Sequence, residues 1–465
     1  MPDDFHYLSL AEVARRLKAR QLSSVEAAQA MLDRIARHNP KLKAYATVTP
    51  ERALKDAARL DAETAAGRSR GPLHGVPIAI KDLCNTEGVP TAAGMAIHRA
   101  NVPARDATVV ARLKAAGAVI VGKLQMTEGA FGAHHPDIAA PLNPWNATYW
   151  PGTSSSGSGS ATAAGLCFAS LGSDTGGSIR FPSTMNGLSG LKPSWGRVSR
   201  AGVFPLAESL DHVGPMTRSA LDSAIMLGVI AGADPDDPTA VPLEVPDYAA
   251  TIGEGVKGKT IGMPKSLADL DDNSRSALEG AREVFAKLGA RIVDVALPPI
   301  FENAAHDWVP LCAVECAVAH EATYPARAKE YGPVLASLID HGRRLTATDL
   351  ATLQLRRAAL TGELNKLFDG VPLMLMPVMA RAVWTIDGLA NAGRDPATVA
   401  ARLRYTAPFD MSGHPTLTLP GGMTDDGVPV GFQICGRAFS EGAILAAGHA
   451  YQQATDWHLK RPPLD

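Results

Sequence analysis

The sequence predicts an α/β fold in which helices cover both faces of a central mixed β-sheet. Helical patterns alternate with short apolar strands along most of the chain, and this alternation is typical of helices packed on a sheet. A helix closed by a glycine and followed by a strand occurs twice, at 106–121 and at 274–295. With 46% hydrophobic and 20% charged residues, the 465-residue chain has an ordinary globular composition.

The predicted helices follow from apolar residues at helical spacing. This pattern fills most of the first seventy residues, where Ser23 and Ser24 are suited to cap the second helix. Asp106 is a candidate cap for the helix predicted at 106–117. Residues 301–370 are also mostly helical, and we expect them to form a cap-like segment over the sheet.

The predicted strands are short apolar runs between turn-forming residues. The run at 76–80 predicts a buried strand that leads into Lys81. The other predicted strands lie at 118–121, 167–172, 259–264, 290–295, 372–377, 415–420 and 430–435.

Charge and composition bear on partners and location. Lys+Arg (45) and Asp+Glu (47) nearly cancel, whereas a nucleic-acid-binding face needs a basic excess, so we expect no nucleic-acid partner. No apolar run reaches the roughly 18 residues of a membrane helix, and the N-terminus does not resemble a secretory signal. Together with five scattered cysteines, these features predict a cytoplasmic protein with reduced thiols, no membrane partner and no metal site.

Two tracts of residues with small side chains lie close together, PGTSSSGSG at 151–159 and GSDTGGSIR at 172–180. A flexible linker is one interpretation, but predicted helix and strand flank both tracts. Gly176 and Gly177 free the backbone to turn its N–H groups toward one point, and Ser178 follows directly. Aimed N–H groups beside a hydroxyl are the parts of an oxyanion hole and its nucleophile.

A serine nucleophile needs a base, and the usual candidates fit poorly. No G-x-S-x-G elbow surrounds Ser178, and Asp211 directly precedes His212, so these two cannot easily act as orienting carboxylate and base. Lys81 is another candidate, because successive strand residues point to opposite faces and Lys81 can lie inside without Asp82. Burial can lower a lysine pKa by several units from about 10.4. A lysine that reaches solvent from the strand end stays open as the alternative.

Several motifs together resemble the amidase signature family. Lys81, the serine run at 154–156 and GSDTGGSIRFPS resemble its core motifs, and LKPSWGRVSRAGVFPLAESLDHVGPMTRS resembles the continuation of its signature. GVPIAIKD and APFDMSGHPTLTLPGG resemble its lysine strand and its C-terminal strand region. The resemblance extends to about residue 450 and implies a single amidase domain with the amidase signature fold. Its expected parts are N-terminal helices at 1–70, a signature core at 71–230, the helical segment at 301–370 and core strands at 371–450.

The resemblance implies an amide hydrolase with a Ser–Ser–Lys triad. Ser178 matches the nucleophile, Ser154 the bridging serine and Lys81 the base. Neutral Lys81 takes a proton through Ser154 while Ser178 attacks the amide carbonyl, and water then cleaves the acyl-enzyme. No metal or organic cofactor is implied.

The resemblance also implies supporting residues. Ser155 is expected to support the triad by hydrogen bonding, and Asp174 and Arg180 to hold the shape of the nucleophile loop. In some family members the residue matching Arg180 meets an acidic substrate, so its role stays open. The oxyanion hole is assigned to the backbone N–H groups of Thr175, Gly176, Gly177 and Ser178.

Two positions depart from the family pattern, because Thr153 and Ser156 stand where family members usually have glycine. The peptide bond before the bridging serine is cis in the family. We therefore expect a cis Thr153–Ser154 bond, with a local pocket that the threonine side chain narrows.

The resemblance places one wall of the substrate pocket at 123–138. Met126, Phe131 and His134 are the candidate lining residues there, with core packing or loop structure as the alternative for each. The helical segment is expected to supply the other wall, with the candidates Trp308, Cys312 and Tyr324.

The segment FPLAESLDHVGPM favours a free-standing hydrolase of a small-molecule amide. The catalytic subunit of a glutamine-dependent tRNA amidotransferase, which needs partner chains, is one alternative, and a hydrolase of acylated ureas is another. A nucleotide-binding module is the non-enzymatic alternative, although SGSGSATAAG lacks the lysine of a phosphate-binding loop. Related enzymes are often dimers, so we allow for a homodimer.

Overall fold

The computed structural model describes residues 5–265, 267, 269–392 and 396–464, and in these ranges one mixed sheet of eleven strands organises the chain. The strands are β1 (Tyr45–Val48), β2 (Pro77–Lys81), β3 (Val119–Leu124), β4 (Ala169–Asp174), β5 (Ser189–Lys192), β6 (His212–Thr217), β7 (Thr260–Pro264), β8 (Arg291–Val295), β9 (Leu373–Pro377), β10 (Thr416–Met423) and β11 (Pro429–Gly436).

The order of the strands determines where the two tracts meet. Across the sheet it is β1-β3-β2-β4-β6-β5-β10-β11-β9-β7-β8. Strand β2 is parallel to both β3 and β4, and β7 is parallel to both β8 and β9, while antiparallel pairs join these two groups. Parallel neighbours end at the same edge of a sheet. Lys81 at the end of β2 and Asp174 at the end of β4 therefore lie at one edge.

Fifteen α-helices lie before, between and after the strands in the described part of the chain. The α-helices are α1 (Leu10–Lys18), α2 (Ser24–Leu42), α3 (Pro50–Ala65), α4 (Thr108–Ala115), α5 (Ser156–Ala163), α6 (Arg180–Asn186), α7 (Ala220–Ile230), α8 (Asp272–Lys287), α9 (Phe301–Ala319), α10 (Pro333–Arg344), α11 (Ala347–Gly370), α12 (Ile386–Asn391), α13 (Pro396–Leu403), α14 (Ala407–Met411) and α15 (Glu441–Gln453).

Helices cover both faces of the sheet. On β11, a Cβ at Gly431 would lie 2.4 Å from the hydroxyl of Thr184 on α6. The neighbouring residue on β11, Phe432, contacts Tyr451 of α15 with the ring centroids 4.9 Å apart. Since successive strand residues point to opposite faces, α6 and α15 lie on opposite sides of the sheet. The predicted fold class, a central mixed sheet with helices on both faces, is confirmed.

The predicted strands are present, but β1, β5 and β6 are not among them. Strand β1 lies inside the first seventy residues, where only helices are predicted. Strands β5 and β6 have the sequences SGLK and HVGPMT, whose glycine, proline and polar residues are unfavourable in strands. Both are fully buried between β4 and β10, so their neighbours in the sheet outweigh local propensity.

Of the two predicted helix caps, the one on α2 is present and the one at Asp106 is absent. Ser23 caps α2 as predicted, because its Oγ accepts from the Glu26 N–H at 3.1 Å. The predicted cap at Asp106 is wrong, since α4 begins at Thr108 with no side-chain cap. The Asp106 carboxylate instead pairs with Lys114 at 2.6 Å.

Two further findings concern membrane-spanning helices and the cysteines. Within the described ranges, the helices are too short or too polar to cross a lipid bilayer. All five cysteines are buried and carry free thiols.

Candidate active site

The two small-residue tracts lie against each other beneath one cavity. From 151 to 186, a fully described segment, every residue is buried except Thr153 and Ser178, and both line the cavity. The tracts contact directly, because the Ser155 N–H donates to the Ser178 carbonyl at 3.3 Å. The cavity encloses about 560 Å³, a size typical of small-molecule sites. Ser178 is thus the serine of the two tracts that reaches this space.

Lys81 is fully buried and surrounded by hydroxyls. Its Nζ donates to the Oγ atoms of Ser154, Ser155 and Ser173 at 2.7, 2.8 and 2.8 Å. Among the described residues no carboxylate forms an ion pair with it. Burial lowers the pKa of Lys81 to about 7, so much of the amine is neutral near that pH.

Lys81 and its neighbour Asp82 point to different surroundings, as strand alternation predicts. Asp82 Oδ1 lies 3.5 Å from Nζ of Lys123, and its Oδ2 accepts from the Ala92 N–H at 3.0 Å. Lys123 belongs to β3, where it pairs in register with Ile80. The alternative in which Lys81 reaches solvent is wrong, because its side chain is 0% exposed.

The first tract brings its serines to Lys81 through a turn that leads into α5. The Thr153–Ser154 peptide bond is cis, as expected. Helix α5 is buried along its whole length, and a Cβ at Gly157 would lie 2.3 Å from the Ala44 carbonyl oxygen. Close packing therefore explains the small residues of this tract.

The second tract turns sharply between β4 and α6. Gly177 has a φ of +136°, and a Cβ there would lie 2.5 Å from the Phe181 ring. A Cβ at Gly176 would lie 2.6 Å from the Trp308 ring. Trp308, on α9, donates its indole N–H to the Thr175 carbonyl at 2.7 Å and so fixes the loop from outside. Both glycines are required by space, and Gly177 also by conformation.

The Gly177 amide is engaged within the loop, which differs from its assignment to the oxyanion hole. Its N–H donates to Asp174 Oδ1 at 2.6 Å, and the Ile179 N–H donates to Asp174 Oδ2 at 2.9 Å. The Gly177 carbonyl accepts from the Phe181 N–H at 2.7 Å. Because the N–H and C=O of a trans peptide unit point in opposite directions, the Ser178 N–H points away from α6.

A buried ionic network lies under the loop between β4 and α6. Asp174 pairs with Arg180 at 2.8 Å, and Arg180 also pairs with Asp410 of α14. Burial alone would raise the pKa of Asp174, but the Arg180 charge outweighs it and holds that pKa well below its usual range. Burial raises the pKa of Asp410 well above its usual range. Arg180 is 0% exposed and does not line the cavity, which excludes direct contact with a ligand there.

The predicted pocket residues divide into two groups. Phe131 lines the cavity, whereas Met126 is fully buried elsewhere in the core. His134 does not line it either. Its Nε2 lies 3.0 Å from Ser156 Oγ, and burial lowers its pKa to about 4. Ser156, which replaces a glycine of the family pattern, thus has a hydrogen-bonding partner.

The second predicted wall is only partly correct. Trp308 lines the cavity, whereas Cys312 and Tyr324 do not. Helix α10, which belongs to the helical segment predicted for this wall, also lines the cavity. Residues of α12 and α13, which carried no predicted role, extend the wall. The aromatic lining residues are Phe131, Trp150, Phe181 and Trp308.

Several polar residues around this centre are absent from the predicted set. Ser173 is the third hydroxyl beside Lys81, and its place at the end of a strand parallel to β2 was the available signal. His212 contacts the Asp174 carbonyl at 3.2 Å and Lys192 Nζ at 3.2 Å. These contacts depend on β5 and β6, which were not predicted. Asp211 turns the other way and accepts from the Thr175 hydroxyl, so Asp211 and His212 do not form a base and its orienting group.

The chain is similar to known proteins over nearly its whole length. The family model named Amidase matches residues 26–445. The chain is 49% identical to the Mycobacterium tuberculosis protein named "Putative amidase AmiD", over 99% of this chain and 97% of that protein. It is 40% identical to a glutamyl-tRNA(Gln) amidotransferase subunit of Geobacter metallireducens, over 98% of each chain. Among solved structures, the peptide amidase of Stenotrophomonas maltophilia gives a TM-score of 0.83 at 30% identity, over 98% of each chain.

Proposed function

The chain belongs to the amidase signature family of amide-hydrolysing enzymes, and from this premise we propose that it cleaves the C–N bond of a small, largely apolar carboxamide through an acyl-enzyme on Ser178. The observation that carries the proposal is Lys81, a buried amine held by three serine hydroxyls with its pKa lowered to about 7. A neutral amine in this position is a base that exchanges protons with Ser178 through Ser154.

Acylation begins when Ser178 Oγ attacks the carbonyl carbon of the amide. The Ser178 proton passes to Ser154 Oγ, and the Ser154 proton passes to neutral Lys81. The tetrahedral intermediate then collapses and the C–N bond breaks, while Lys81 returns its proton through Ser154 to the departing nitrogen. This return is needed because amines leave poorly unless they are protonated. Water attacks the acyl-enzyme by the same proton route and releases the carboxylate.

The charge that develops on the carbonyl oxygen needs hydrogen-bond donors. We assign this role to the backbone N–H groups of Thr175, Gly176 and Ser178, with Gly177 excluded because its N–H donates to Asp174. Trp308 and Thr406 are not assigned to the oxyanion hole. They donate to the Thr175 and Gly176 carbonyls at 2.7 and 2.6 Å and so hold the loop in place. Preorganised donors of this kind contribute about 3 kcal/mol each to transition-state stabilisation.

The lining of the cavity supports a largely apolar substrate. Four aromatic side chains line it, and none of the described lining residues is an aspartate or a glutamate. Glutamine carries an α-ammonium group, for which the described lining residues offer no carboxylate. The second candidate function, glutamine hydrolysis within an amidotransferase complex, is therefore less well supported than hydrolysis of a free-standing amide.

The test is ammonia release by the purified chain alone. The panel contains aliphatic and aromatic primary amides, acylated ureas and glutamine. We expect release from aromatic or long aliphatic amides, and we expect Ser178→Ala to lose it entirely while its thermal unfolding midpoint stays within about 2 °C. Ser69→Ala, an exposed serine away from the cavity lining, is the matched control and should keep wild-type rates. Near-wild-type turnover by Ser178→Ala would contradict the mechanism.

A further inference from the structure

The cavity carries positive charge that the proposed chemistry does not use. His341 and Arg344 lie one helical turn apart on α10, and both line the cavity. None of the described lining residues is a carboxylate that could pair with Arg344. The Arg344 charge therefore attracts anionic groups to this part of the cavity.

Arg344 is the residue on which this inference depends. It is exposed in the last turn of α10, which places that turn at the opening of the cavity. Within the described part of the chain, its guanidinium has neither a hydrogen-bond nor an ion-pair partner. An unpaired guanidinium offers two parallel N–H donors to a carboxylate, which is a geometry that lysine and histidine do not supply.

Helix α10 also separates this charge from the apolar part of the wall. The helix lines the cavity from Pro333 and Val334 at its first turn to Arg344 at its last. With a rise of 1.5 Å per residue, Val334 and Arg344 lie roughly 15 Å apart along the helix axis. The wall is apolar at one end of the helix and cationic at the other, and Leu338 lies between them on the same side.

We propose that Arg344, with His341 as a second donor, binds an anionic group of the substrate. The preferred substrates are then amides with an apolar chain or aromatic body and a carboxylate at the end that lies beside the last turn of α10. The inference rests on the proposed function, for which it names the substrate class. It does not involve Arg180, which is buried between two carboxylates.

The test uses amides in matched pairs. Suberic acid monoamide is paired with octanamide, and 4-carboxyphenylacetamide with 4-methylphenylacetamide, so that only the terminal group changes. The readout is the ratio of kcat/KM within each pair. We expect the carboxylate member to be favoured about tenfold by the wild type, and the preference to weaken as salt is added. A ratio near one in the wild type would overturn the inference.

Variants locate the effect. Arg344→Gln should reduce the ratio to about one, and Arg344→Lys should keep part of it because the charge remains. Arg343→Gln is the matched control, since Arg343 is an exposed arginine in the same turn that does not line the cavity, and it should keep the wild-type ratio. A ratio that Arg344→Gln leaves unchanged, or that Arg343→Gln lowers equally, would overturn the inference.

Binding separates this inference from the proposed function. Calorimetry on the Ser178→Ala variant measures the affinity for each pair without turnover. Tighter binding of the carboxylate member by about tenfold supports the anion site even if the wild type releases no ammonia. Equal binding overturns it, and hydrolysis of neutral amides by the wild type would then leave the proposed function intact.

Discussion

Two buried lysines on neighbouring strands of this sheet have opposite surroundings. Lys81 on β2 contacts three serine hydroxyls, whereas Lys123 on β3 lies 3.5 Å from the Asp82 carboxylate and donates to the Thr91 hydroxyl at 2.6 Å. Burial lowers the pKa of both lysines, and carboxylate charges oppose the shift in both. At Lys123 the opposing carboxylate, Asp82, lies within ion-pair distance, whereas among the described residues Lys81 forms no ion pair with a carboxylate. A carboxylate holds a buried lysine as part of an ion pair, while hydroxyls leave the amine available to exchange protons.

The largest difference between the two lysines is expected in turnover. Lys81→Met should reduce kcat/KM for amide hydrolysis by about 10³-fold or more, because it removes the proposed base and keeps the proposed nucleophile. Ammonia release under substrate-limited conditions measures the loss. The variant should still fold, since methionine fills the space of the lysine chain and only hydroxyl partners are lost. Retention of more than a tenth of the activity would remove Lys81 from the proposed mechanism.

Lys123→Met should show the reverse behaviour. It leaves Asp82, which is 2% exposed, without its ion partner, and breaking a buried pair costs about 3–5 kcal/mol of unfolding free energy. Denaturant unfolding measures this loss, and kcat/KM of the folded protein should change by less than about threefold. The double variant Asp82→Asn/Lys123→Met should recover most of the stability, because no uncompensated charge remains. If Lys123→Met lost activity while keeping its stability, the two lysines would not differ as described.

The part of the site that could be predicted from the sequence is the part built from backbone. Glycines at 176 and 177 indicate a turn in which side chains have no room, and the structure places two aromatic rings against those positions. Strand alternation separates Lys81 from Asp82, and this rule needs no tertiary information. The fold class followed in the same way, from alternating local patterns whose helices and strands formed where predicted.

The part that could not be predicted depends on contacts between distant segments. Asp410 reaches Arg180 across 230 positions in the chain, through a five-residue helix with no local signal of its own. The cavity combines side chains from near residue 131 to near residue 403. Met126 illustrates the difficulty, because it lies close in sequence to Phe131 but faces the core. Outside regular strands, the direction of a side chain is set by its tertiary contacts, and these cannot be inferred from a single sequence.

The smallest expected effect is a shift in the pH dependence of kcat/KM when a hydroxyl beside Lys81 is removed. In the proposed mechanism only the neutral amine of Lys81 acts as the base, so kcat/KM should rise with pH through a midpoint near 7 and level off above it. Ser155 Oγ donates to the Ser173 carbonyl at 3.2 Å, so toward Lys81 it acts as an acceptor, which favours the charged amine.

Removing that acceptor should lower the pKa of Lys81 further. In Ser155→Ala we expect the midpoint of the kcat/KM profile to move to lower pH by roughly half a unit to one unit, the equivalent of one neutral hydrogen bond. Ser158→Ala is the matched control, because Ser158 is equally buried but donates to the Leu171 carbonyl and should leave the midpoint unchanged. A midpoint that moves to higher pH in Ser155→Ala would mean that this hydroxyl donates to a neutral amine. Lys81 would then be held as a base by Ser155 as well as by burial.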